Sequence, residues 1–513
     1  MKIWLLASET PLYNPGGIAR YVDNFARYLA RAGHEVTVFG REEEARSLEI
    51  EPGYRYRSVV PLWNRVGEEA PSPRPDDHPS WPYNVLDYWG AFSFQMADAV
   101  RELIRGEGPP DVIEAQEYNA LPYYLLQRKL TGAPELAGVP IVVNAHSPDF
   151  ICRKFNEEVR YQLPHYWTGR LEMACLHAAD AVICPSRYLS RQLEEAFGGS
   201  ISVEALPLPW TDPEPYLGGG TVEEGKLLYT GRLELRKGVL RFLEACEKRW
   251  GEGLSFSVHM VGSDTLYVPR NCTVGEWIRK RYARRIEEGS LVLRDALPHA
   301  ELLREMGTAA ATVVPSLWEN WPNTCIEAMS LGKVVMGSLH GGQAEMIGSD
   351  ERCGFLFSWE EPDSFDRALG KVLALSPRKR AAMGAEARQR IAGLCHPQTV
   401  LDRRIRSGLG ETHLFARVAG YLVGASLSAT GDLEAAEPLL VEHHRALAAQ
   451  LGPDHSLTLK AAGLLAAHWQ RRGRADLALA LAEPAAARAR AALGDQHQRT
   501  RDLQALEIGR AHV

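Results

Sequence analysis

Two glutamates eight residues apart are the first candidates for chemistry in this sequence. Glu319 and Glu327 enclose the segment Asn-Trp-Pro-Asn-Thr-Cys-Ile, and Pro322 prevents one continuous helix from carrying both carboxylates. We therefore expect Glu319 on a loop and Glu327 in the first turn of a helix. Carboxylates accept hydrogen bonds from sugar hydroxyls, so one glutamate could hold a hexose and the other a ribose.

The same segment also permits a purely structural role. Thr324 and Glu327 have the spacing of a capping box, in which Glu327 would satisfy N–H groups at a helix start. The spacing by itself does not choose between helix capping and ribose binding.

A basic turn lies upstream, in the segment Gly-Arg-Leu-Glu-Leu-Arg-Lys-Gly at 231–238. It follows a predicted strand and precedes a predicted helix, where backbone N–H groups gather and favour anions. Arg232 can present two parallel donors to phosphate oxygens, and Lys237 can supply a mobile point charge. The turn therefore suits a diphosphate, although a solvated basic face has the same pattern.

The composition is that of a chain that folds in water. Of 513 residues, 45% are hydrophobic and 24% charged, and the net charge of −7 leaves no positive excess for a nucleic-acid backbone. The eight cysteines show no Cys-x-x-Cys pair and no zinc spacing, so we expect reduced packing residues. The N-terminus lacks a signal-like apolar run and no segment is long enough to span a membrane, which predicts a cytoplasmic protein.

Short β-branched segments alternate with longer amphipathic ones, as in parallel sheets covered by helices. In the first part of the chain this predicts a helix from Ile18 to Ala32 and strands at Lys2 to Ala7, Glu35 to Phe39, Asp111 to Ala115, Ile141 to Ala145 and Ala181 to Cys184. Residues 41–80 are rich in prolines and charges and are predicted to be an inserted loop. Prolines cluster again between Leu206 and Pro215, which predicts a hinge.

The strand–helix alternation starts again after the hinge. Strands are predicted at 226–230, 255–261, 290–293, 311–314 and 334–338. The fold class is therefore α/β, with one Rossmann-like domain at 1–205, a second at 206–410 and a cleft between them. Ligands of such sheets bind beyond the carboxyl ends of the strands.

From about residue 411 the composition changes to Ala- and Leu-rich helix formers, and residues recur at an offset of 42. The recurring pairs are Gly431 and Gly473, Leu451 and Leu493, His455 and His497, and Thr458 and Thr500. Each unit is predicted to be a helix pair, and Leu-Gly-Pro-Asp-His at 451–455 resembles tetratricopeptide-like repeats of the kinesin-light-chain type. Residues 411–513 are thus predicted to form an all-α helical-repeat tail, unless the matches are accidental features of an Ala-rich helical segment.

Taken together, the motifs of residues 1 to about 410 resemble the retaining glycosyltransferases of family four. They occur in one order: Gly16-Gly17, the basic turn at 231–238, Pro315-Ser316, the glutamate pair with Ala328-Met329 and Gly332, Gly341-Gly342-x-x-Glu345, and Gly354. The basic turn combined with the glutamate pair is the most specific part of the resemblance. It implies a GT-B fold, in which two Rossmann-like domains face a cleft.

The resemblance assigns the phosphate-binding residues. It implies that Arg232 and Lys237 bind the diphosphate of the donor. Gly16 and Gly17 match the loop whose backbone approaches the donor phosphates, since glycine lets N–H groups come close at a helix N-terminus. Without the resemblance, a Gly-Gly pair indicates only a turn.

The resemblance also assigns residues at the sugar and the nucleoside. It implies that Glu319 contacts the donor sugar and that Glu327 binds the ribose, with Asn323 and Thr324 among the donor-binding residues. His146 matches the active-site histidine of the family. From its position alone, a lone histidine such as His146 is more often structural.

Three features depart from the family pattern. Pro322 stands where many members have glycine, and Leu-Pro-Trp-Thr-Asp at 208–212 replaces the usual Asn-Gly-Val-Asp after the hinge. The segment Asp-Val-Ile-Glu at 111–114 lacks a histidine often found there, so Glu114 and Glu117 either shape an unusual acceptor pocket or are solvated loop carboxylates. The sequence has no Asp-x-Asp motif, so we expect no metal site, and Arg232 and Lys237 would supply the positive charge instead.

The resemblance predicts a metal-independent retaining glycosyltransferase without a cofactor, which moves a sugar from a nucleotide diphosphate sugar to an unidentified acceptor. The alternative is a catalytically inactive nucleotide-sugar-binding adaptor that acts through its tail. The expected partners are the donor, the acceptor, and a protein or second copy bound by the tail, with no nucleic acid.

Overall fold

The N-terminal half is built on a twisted eight-stranded sheet. The computed structural model describes residues 1–10, 12, 16–61, 88–159, 163, 165–210, 220–397, 400, 424–425, 427–428, 431–495 and 498–508. The strands are β1 (Lys2–Ala7), β2 (Glu35–Arg41), β3 (Ser47–Glu51), β4 (Tyr54–Val59), β5 (Val112–Gln116), β6 (Ile141–Asn144), β7 (Ala181–Cys184) and β8 (Val203–Ala205). Their order is β3-β4-β2-β1-β5-β6-β7-β8, and every neighbouring pair except β3 and β4 is parallel.

Helices connect these strands and cover both faces of the sheet. They are α1 (Gly17–Arg31), α2 (Tyr88–Glu107), α3 (Tyr123–Leu130), α4 (Asp149–Phe155), α5 (His165–Ala178) and α6 (Arg187–Ala196). The buried residues of α1 recur at helical spacing, including Ile18, Val22, Phe25 and Leu29. The five predicted strands of this half, and α1, lie within two residues of their predicted bounds.

The prediction of an inserted loop at 41–80 is wrong for its described part, since residues 47–59 form the hairpin β3–β4, and β4 extends the sheet beside β2. Tyr54 and Tyr56 face the core with 2% and 1% exposure, while Arg55 and Arg57 alternate with them and pair with Glu107. The charges that suggested a loop lie on the outer face of a strand. Residues 62–80 of the predicted loop lie outside the described part of the chain.

The second half is built on a six-stranded parallel sheet. Its strands are β9 (Lys226–Thr230), β10 (Ser257–Val261), β13 (Leu291–Arg294), β14 (Ala311–Val314), β15 (Val335–Ser338) and β16 (Gly354–Phe357), with a separate small hairpin of β11 (Leu266–Tyr267) and β12 (Cys272–Thr273). The helices are α7 (Val239–Gly251), α8 (Val274–Arg281), α9 (Ala283–Glu287), α10 (His299–Thr308), α11 (Asn323–Ser330), α12 (Gly342–Ile347), α13 (Ser364–Leu373) and α14 (Pro377–Cys395). The strand order β13-β10-β9-β14-β15-β16 reverses between β9 and β14, which creates a ligand-binding crevice at their carboxyl ends.

The two halves share a hydrophobic cluster. Side chains of α1 such as Tyr21 and Phe25 belong to the same buried cluster as Trp321, Ile326 and Met329 of the second half. The described part of the predicted hinge, 206–210, runs through this junction, and the backbone N–H of Trp210 donates to the carbonyl of Cys395 at the end of α14. Residues 211–215 of that hinge lie outside the described ranges.

Four helices of the tail are described: α15 (Leu433–Leu451), α16 (Ser456–Arg471), α17 (Ala475–Leu493) and α18 (Gln498–Ile508). Helices α15 and α17 start 42 residues apart and both contain 19 residues, and α16 and α18 also start 42 residues apart. Gly452 and Gly494, which follow α15 and α17, have the same backbone conformation, with φ of 87° and 86°. The predicted boundary at 410 lies within 401–423, which the structure does not describe.

The tail packs against the amino ends of the N-terminal strands. Lys460 Nζ donates to Asp111 Oδ2 at 2.9 Å, just before β5, and Met1 packs on the hydrophobic cluster of α15 and α16. Since ligands bind at the carboxyl ends, the tail lies on the opposite side of the sheet from the predicted site. In the described ranges, no helix is long and apolar enough to cross a membrane.

Candidate active site

A cleft of about 800 Å³ lies between the carboxyl ends of the two sheets. It contains eight of the nine predicted site residues: Gly16, Gly17, His146, Arg232, Lys237, Glu319, Asn323 and Thr324. They come from loops after β6, β9 and β14, from the first turns of α1 and α11, and from the turn before α7. Among the described residues, none of those lining this cleft belongs to the tail.

The basic turn is closed by a short 3-10 helix before α7. Gly238 has a φ of 70°, and a Cβ there would lie 2.0 Å from the carbonyl oxygen of Pro315, so only glycine fits. This close approach places Lys237 against the loop that carries Glu319. The Arg232 side chain is 58% exposed, whereas that of Lys237 is 21% exposed. Arg232 is therefore the more accessible cation for an incoming anion.

Gly16 and Gly17 lie at the start of α1, where sequence reasoning placed them. A Cβ on Gly16 would lie 2.2 Å from Glu9 Oε2, so a larger residue would collide with that carboxylate. Burial raises the pKa of Glu9, and Arg232 and the backbone N–H of Ile18 partly offset this rise. Glu9, which sequence reasoning missed, thus lies at the helix N-terminus where an anion is favoured.

Glu319 is 7% exposed and held by two cations. Its carboxylate forms an ion pair with Lys237, and Arg236 Nη1 lies 3.6 Å from the other oxygen. Burial by itself would raise the pKa of Glu319, but Lys237 and Arg236 outweigh this effect and hold it below its ordinary value. The two cations therefore favour the carboxylate form of Glu319, which is suited to accept hydrogen bonds from sugar hydroxyls.

Glu327 does not cap its helix. Pro322 occupies the N-cap position of α11 without a side-chain cap, and the Thr324 hydroxyl donates to the carbonyl of Thr230 at 3.2 Å. The capping-box alternative is therefore wrong, because the helix begins two residues earlier than that motif requires. For the same reason Glu327 lies beyond the first helical turn, contrary to the prediction.

The Glu327 carboxylate instead joins the two halves. It forms an ion pair with Arg20 of α1, and its Oε1 lies 3.1 Å from Nε2 of His299, the first residue of α10. The Glu327 side chain is 3% exposed and is absent from the cleft lining. Of the nine predicted site residues, Glu327 alone lies outside the observed cleft.

His146 follows β6 and is 7% exposed. Its ring packs against Tyr21 of α1, with ring centroids 5.1 Å apart. The next peptide N–H, of Ser147, donates to Glu117 Oε1 at 2.5 Å. A buried carboxylate therefore fixes the backbone of the loop that presents His146 to the cleft.

Neither carboxylate that was considered for an acceptor pocket lines the cleft. Glu114 accepts from Tyr21 Oη at 2.6 Å and Asn144 Nδ2 at 3.0 Å inside the sheet. Glu117 is completely buried, and burial raises its pKa to about 7 even though N–H groups of His146 and Ser147 lower it. The solvated-loop alternative is therefore wrong, and neither carboxylate contacts the cleft directly.

Two other residues of the site escaped sequence reasoning. Arg236, 3% exposed, donates from Nη2 to Glu234 Oε1 at 2.5 Å and to the carbonyl of Trp318 from Nη1. Asn320, also 3% exposed, reaches from the second half to the loop after β6. Arg236 could have been noticed, because the turn at 231–238 contains three basic residues. Nothing in the sequence around Asn320 indicated its partners.

Two family descriptions match the chain along most of its length. "Glycosyltransferase Family 4" matches residues 15–204 and "Glycosyl transferases group 1" matches residues 220–390. The chain is a glycosyltransferase of these families. The two matched regions correspond to the two halves that face the cleft.

The curated relatives are distant in sequence, but the alignments with this chain cover most of their length. A D-inositol 3-phosphate glycosyltransferase of Thermobifida fusca is 24% identical over 76% of this chain and 89% of its own. The MMP alpha-(1->4)-mannosyltransferase of Mycolicibacterium hassiacum is 25% identical over 79% of this chain and 97% of its own. The similarity to these glycosyltransferases therefore covers most of the chain, at low sequence identity.

Solved structures show the same fold. The sucrose-phosphate synthase of Thermosynechococcus elongatus superposes with a TM-score of 0.58 at 20% identity, covering 78% of this chain and 96% of that one. HepE of Anabaena, solved in complex with UDP, superposes with a TM-score of 0.51 at 15% identity, covering 78% and 97%. The GT-B fold expected from the sequence is thus confirmed.

Proposed function

We propose that this glycosyltransferase transfers a hexose from a nucleotide diphosphate sugar to an acceptor, with retention of the anomeric configuration and without a metal ion at the diphosphate. The observation that carries the proposal is the convergence of Arg232, Lys237 and Glu319 from one half with Gly16-Gly17 and His146 from the other in one cleft. An adaptor that only bound a nucleotide sugar would not require this set.

Each group has a defined task in the proposed reaction. The bond between the anomeric carbon and the diphosphate oxygen breaks while an acceptor hydroxyl oxygen bonds to that carbon on the same face. The hydroxyl proton passes to the leaving nucleoside diphosphate, on which negative charge builds. Arg232, Lys237 and the N-terminus of α1 stabilise that charge. Glu319 accepts hydrogen bonds from the hexose, and His146 lies near the sugar on the acceptor side. Asn323 and Thr324, at the start of α11, complete the donor side. Glu327, which lies outside the cleft lining, would exchange its contact with Arg20 for the ribose hydroxyls.

A thermal-shift panel of UDP-, GDP- and ADP-glucose and the corresponding mannose donors tests donor use. A ligand at 100 times its dissociation constant stabilises a protein by about 2.7 kcal/mol, so the correct donor should raise the melting temperature measurably. Proton NMR of the sugar released by slow donor hydrolysis then reports the anomeric configuration. An initially inverted product would refute retention, and binding without any turnover would favour the adaptor.

The metal-independent part of the proposal has its own test. Turnover should survive EDTA, because Arg232 and Lys237 supply the positive charge at the diphosphate. Replacing either cation by Ala should lower kcat more than it lowers donor affinity, since the charge that it stabilises develops during bond breaking. Loss of activity in EDTA and its recovery with Mg²⁺ would overturn this assignment.

We further propose that the tail is a tetratricopeptide-like array that binds an acceptor-bearing protein or a second copy of this chain. Support comes from the 42-residue recurrence of helices α15 to α18 and from their position away from the cleft. Buried cysteines such as Cys175, Cys184 and Cys246 are free thiols, which fits a reducing compartment such as the cytoplasm. Pull-down with the intact chain, against one whose exposed α17 residues are changed, tests the protein-binding role.

A further inference from the structure

The backbone of His146 is held from both sides by buried side chains of different halves. Glu117, which follows β5 in the same half, accepts the N–H of His146 and that of Ser147. Asn320, from the loop after β14 in the other half, donates from Nδ2 to the carbonyl of His146 at 2.8 Å and to that of Ala145 at 3.2 Å. The first contact is internal to one half, whereas the second exists only when the halves are together.

Asn320 is itself fixed by its surroundings. Its Oδ1 accepts from the Ser186 hydroxyl at 2.6 Å, and Ser186 is fully buried at the start of α6. Its carbonyl accepts the N–H of Gly342 at 2.9 Å, and a Cβ on Gly342 would lie 1.9 Å from that carbonyl oxygen. The orientation of the amide is therefore determined, because Oδ1 faces a donor and Nδ2 faces two acceptors.

The residue before Asn320 is Glu319, whose carboxylate lies in the donor half of the cleft. The N–H of Asn320 donates to Glu319 Oε1 at 3.3 Å, so the two side chains share one rigid turn. One side of this turn therefore faces the proposed donor sugar, and the other holds the histidine of the opposite half. A shift of this turn would move both groups together.

We infer that Asn320 is a positioning residue, which sets His146 relative to the donor bound at Glu319 when the two halves close. This inference rests on the proposed function, since it takes His146 and Glu319 to act on one donor. Side chains that act on a reacting group lose efficiency when the hydrogen bonds that hold them are removed, even where ligand binding is unaffected. Asn320 should therefore govern turnover rather than donor affinity.

Asn320→Asp is the sharpest substitution. It keeps the size of the side chain and an oxygen that accepts from Ser186. The amide nitrogen that donates to two carbonyls is replaced by a carboxylate oxygen, which cannot donate to them. Asn320→Ala removes the contact without adding charge, in case the Asp variant fails to fold. Gln192→Ala is the matched control, because Gln192 Oε1 accepts from Trp318 Nε1 at 2.6 Å, another contact between the halves that does not touch His146.

The readouts are donor affinity and slow donor hydrolysis, measured with whichever of UDP-, GDP- or ADP-glucose raises the melting temperature most. We expect both Asn320 variants to lower kcat about 10- to 100-fold while the donor dissociation constant changes less than about threefold. Gln192→Ala should retain kcat. In a double-mutant cycle, Asn320→Ala should have no further effect in a His146→Ala background, because it acts through that residue.

Multiplicative losses in the cycle would show that Asn320 acts independently of His146 and would overturn the inference. An equal kcat loss in Gln192→Ala would also overturn it, because weaker closure would then explain the effect. If His146→Ala is inactive and the Asn320 variants turn over normally, only this inference fails. If His146→Ala turns over normally, the assignment of His146 in the proposed function fails, and this inference fails with it.

Discussion

Two arginines of the same turn should affect different properties when they are replaced. Arg236 has a side chain that is 4% exposed, and its guanidinium contacts Glu234, lies near Glu319 and covers the Trp318 ring at 5.4 Å. Arg232 is 58% exposed, and its ion pair with Glu234 is 3.5 Å long. We predict that Arg236→Met destabilises the fold, whereas Arg232→Ala affects donor binding and turnover with little loss of stability.

The magnitudes follow from burial. Removing one partner of a buried ion pair costs about 3–5 kcal/mol, because the remaining carboxylates stay buried without their cation. Removing an exposed partner costs about 0–1 kcal/mol. For a domain of this size, 1 kcal/mol corresponds to roughly 2–4 °C in melting temperature, so Arg236→Met should melt roughly 6–20 °C lower and Arg232→Ala at most about 4 °C lower.

Differential scanning fluorimetry with and without the best donor measures both effects. Arg236→Met should still be stabilised by the donor at temperatures where it is folded, although less because Glu319 loses one of its two cations. Arg232→Ala should lose most of the donor-induced shift. A melting temperature of Arg236→Met within about 2 °C of the unmodified protein would refute the reasoning from burial.

Three further predictions concern other parts of the molecule. Glu327→Gln should weaken donor binding, measured by calorimetry, roughly 10- to 100-fold, while Arg20→Ala, which leaves the carboxylate in place, should not. Equal losses of affinity in the two variants would mean that the glutamate acts only by joining the halves. Burial raises the pKa of Glu117 from 4.5 to about 7, so the folded protein retains a proton that the unfolded chain has lost, and stability should fall by about 3 kcal/mol as pH rises through that window. Urea midpoints should show this fall in the unmodified protein but not in Glu117→Gln, and parallel curves would contradict it. Lys460→Met should increase hydrogen exchange in α16 and α18, because the fully buried Asp111 side chain loses its cation, whereas exposed Arg488→Ala should not.

The sequence by itself determined the architecture of the two halves. Strand positions such as Ala181–Cys184 and Ala311–Val314 followed from β-branched runs, and α1 followed from its helical spacing, because these patterns depend on neighbours within a few residues. The basic turn and the loop with Glu319 could also be placed, since both follow strands whose carboxyl ends meet at one edge. The hairpin β3–β4 was missed because charges on the outer face of β4 resemble those of a loop.

Only the tertiary structure decided what each side chain of the site does. Arg232 and Arg236 belong to one turn, yet one is exposed and the other buried, because only Arg236 packs over the Trp318 ring between two carboxylates. Asn320 contacts the carbonyl of His146 across 174 residues of sequence, and Glu327 meets Arg20 across 307. Such contacts depend on how the two sheets approach each other, and no local periodicity encodes that approach.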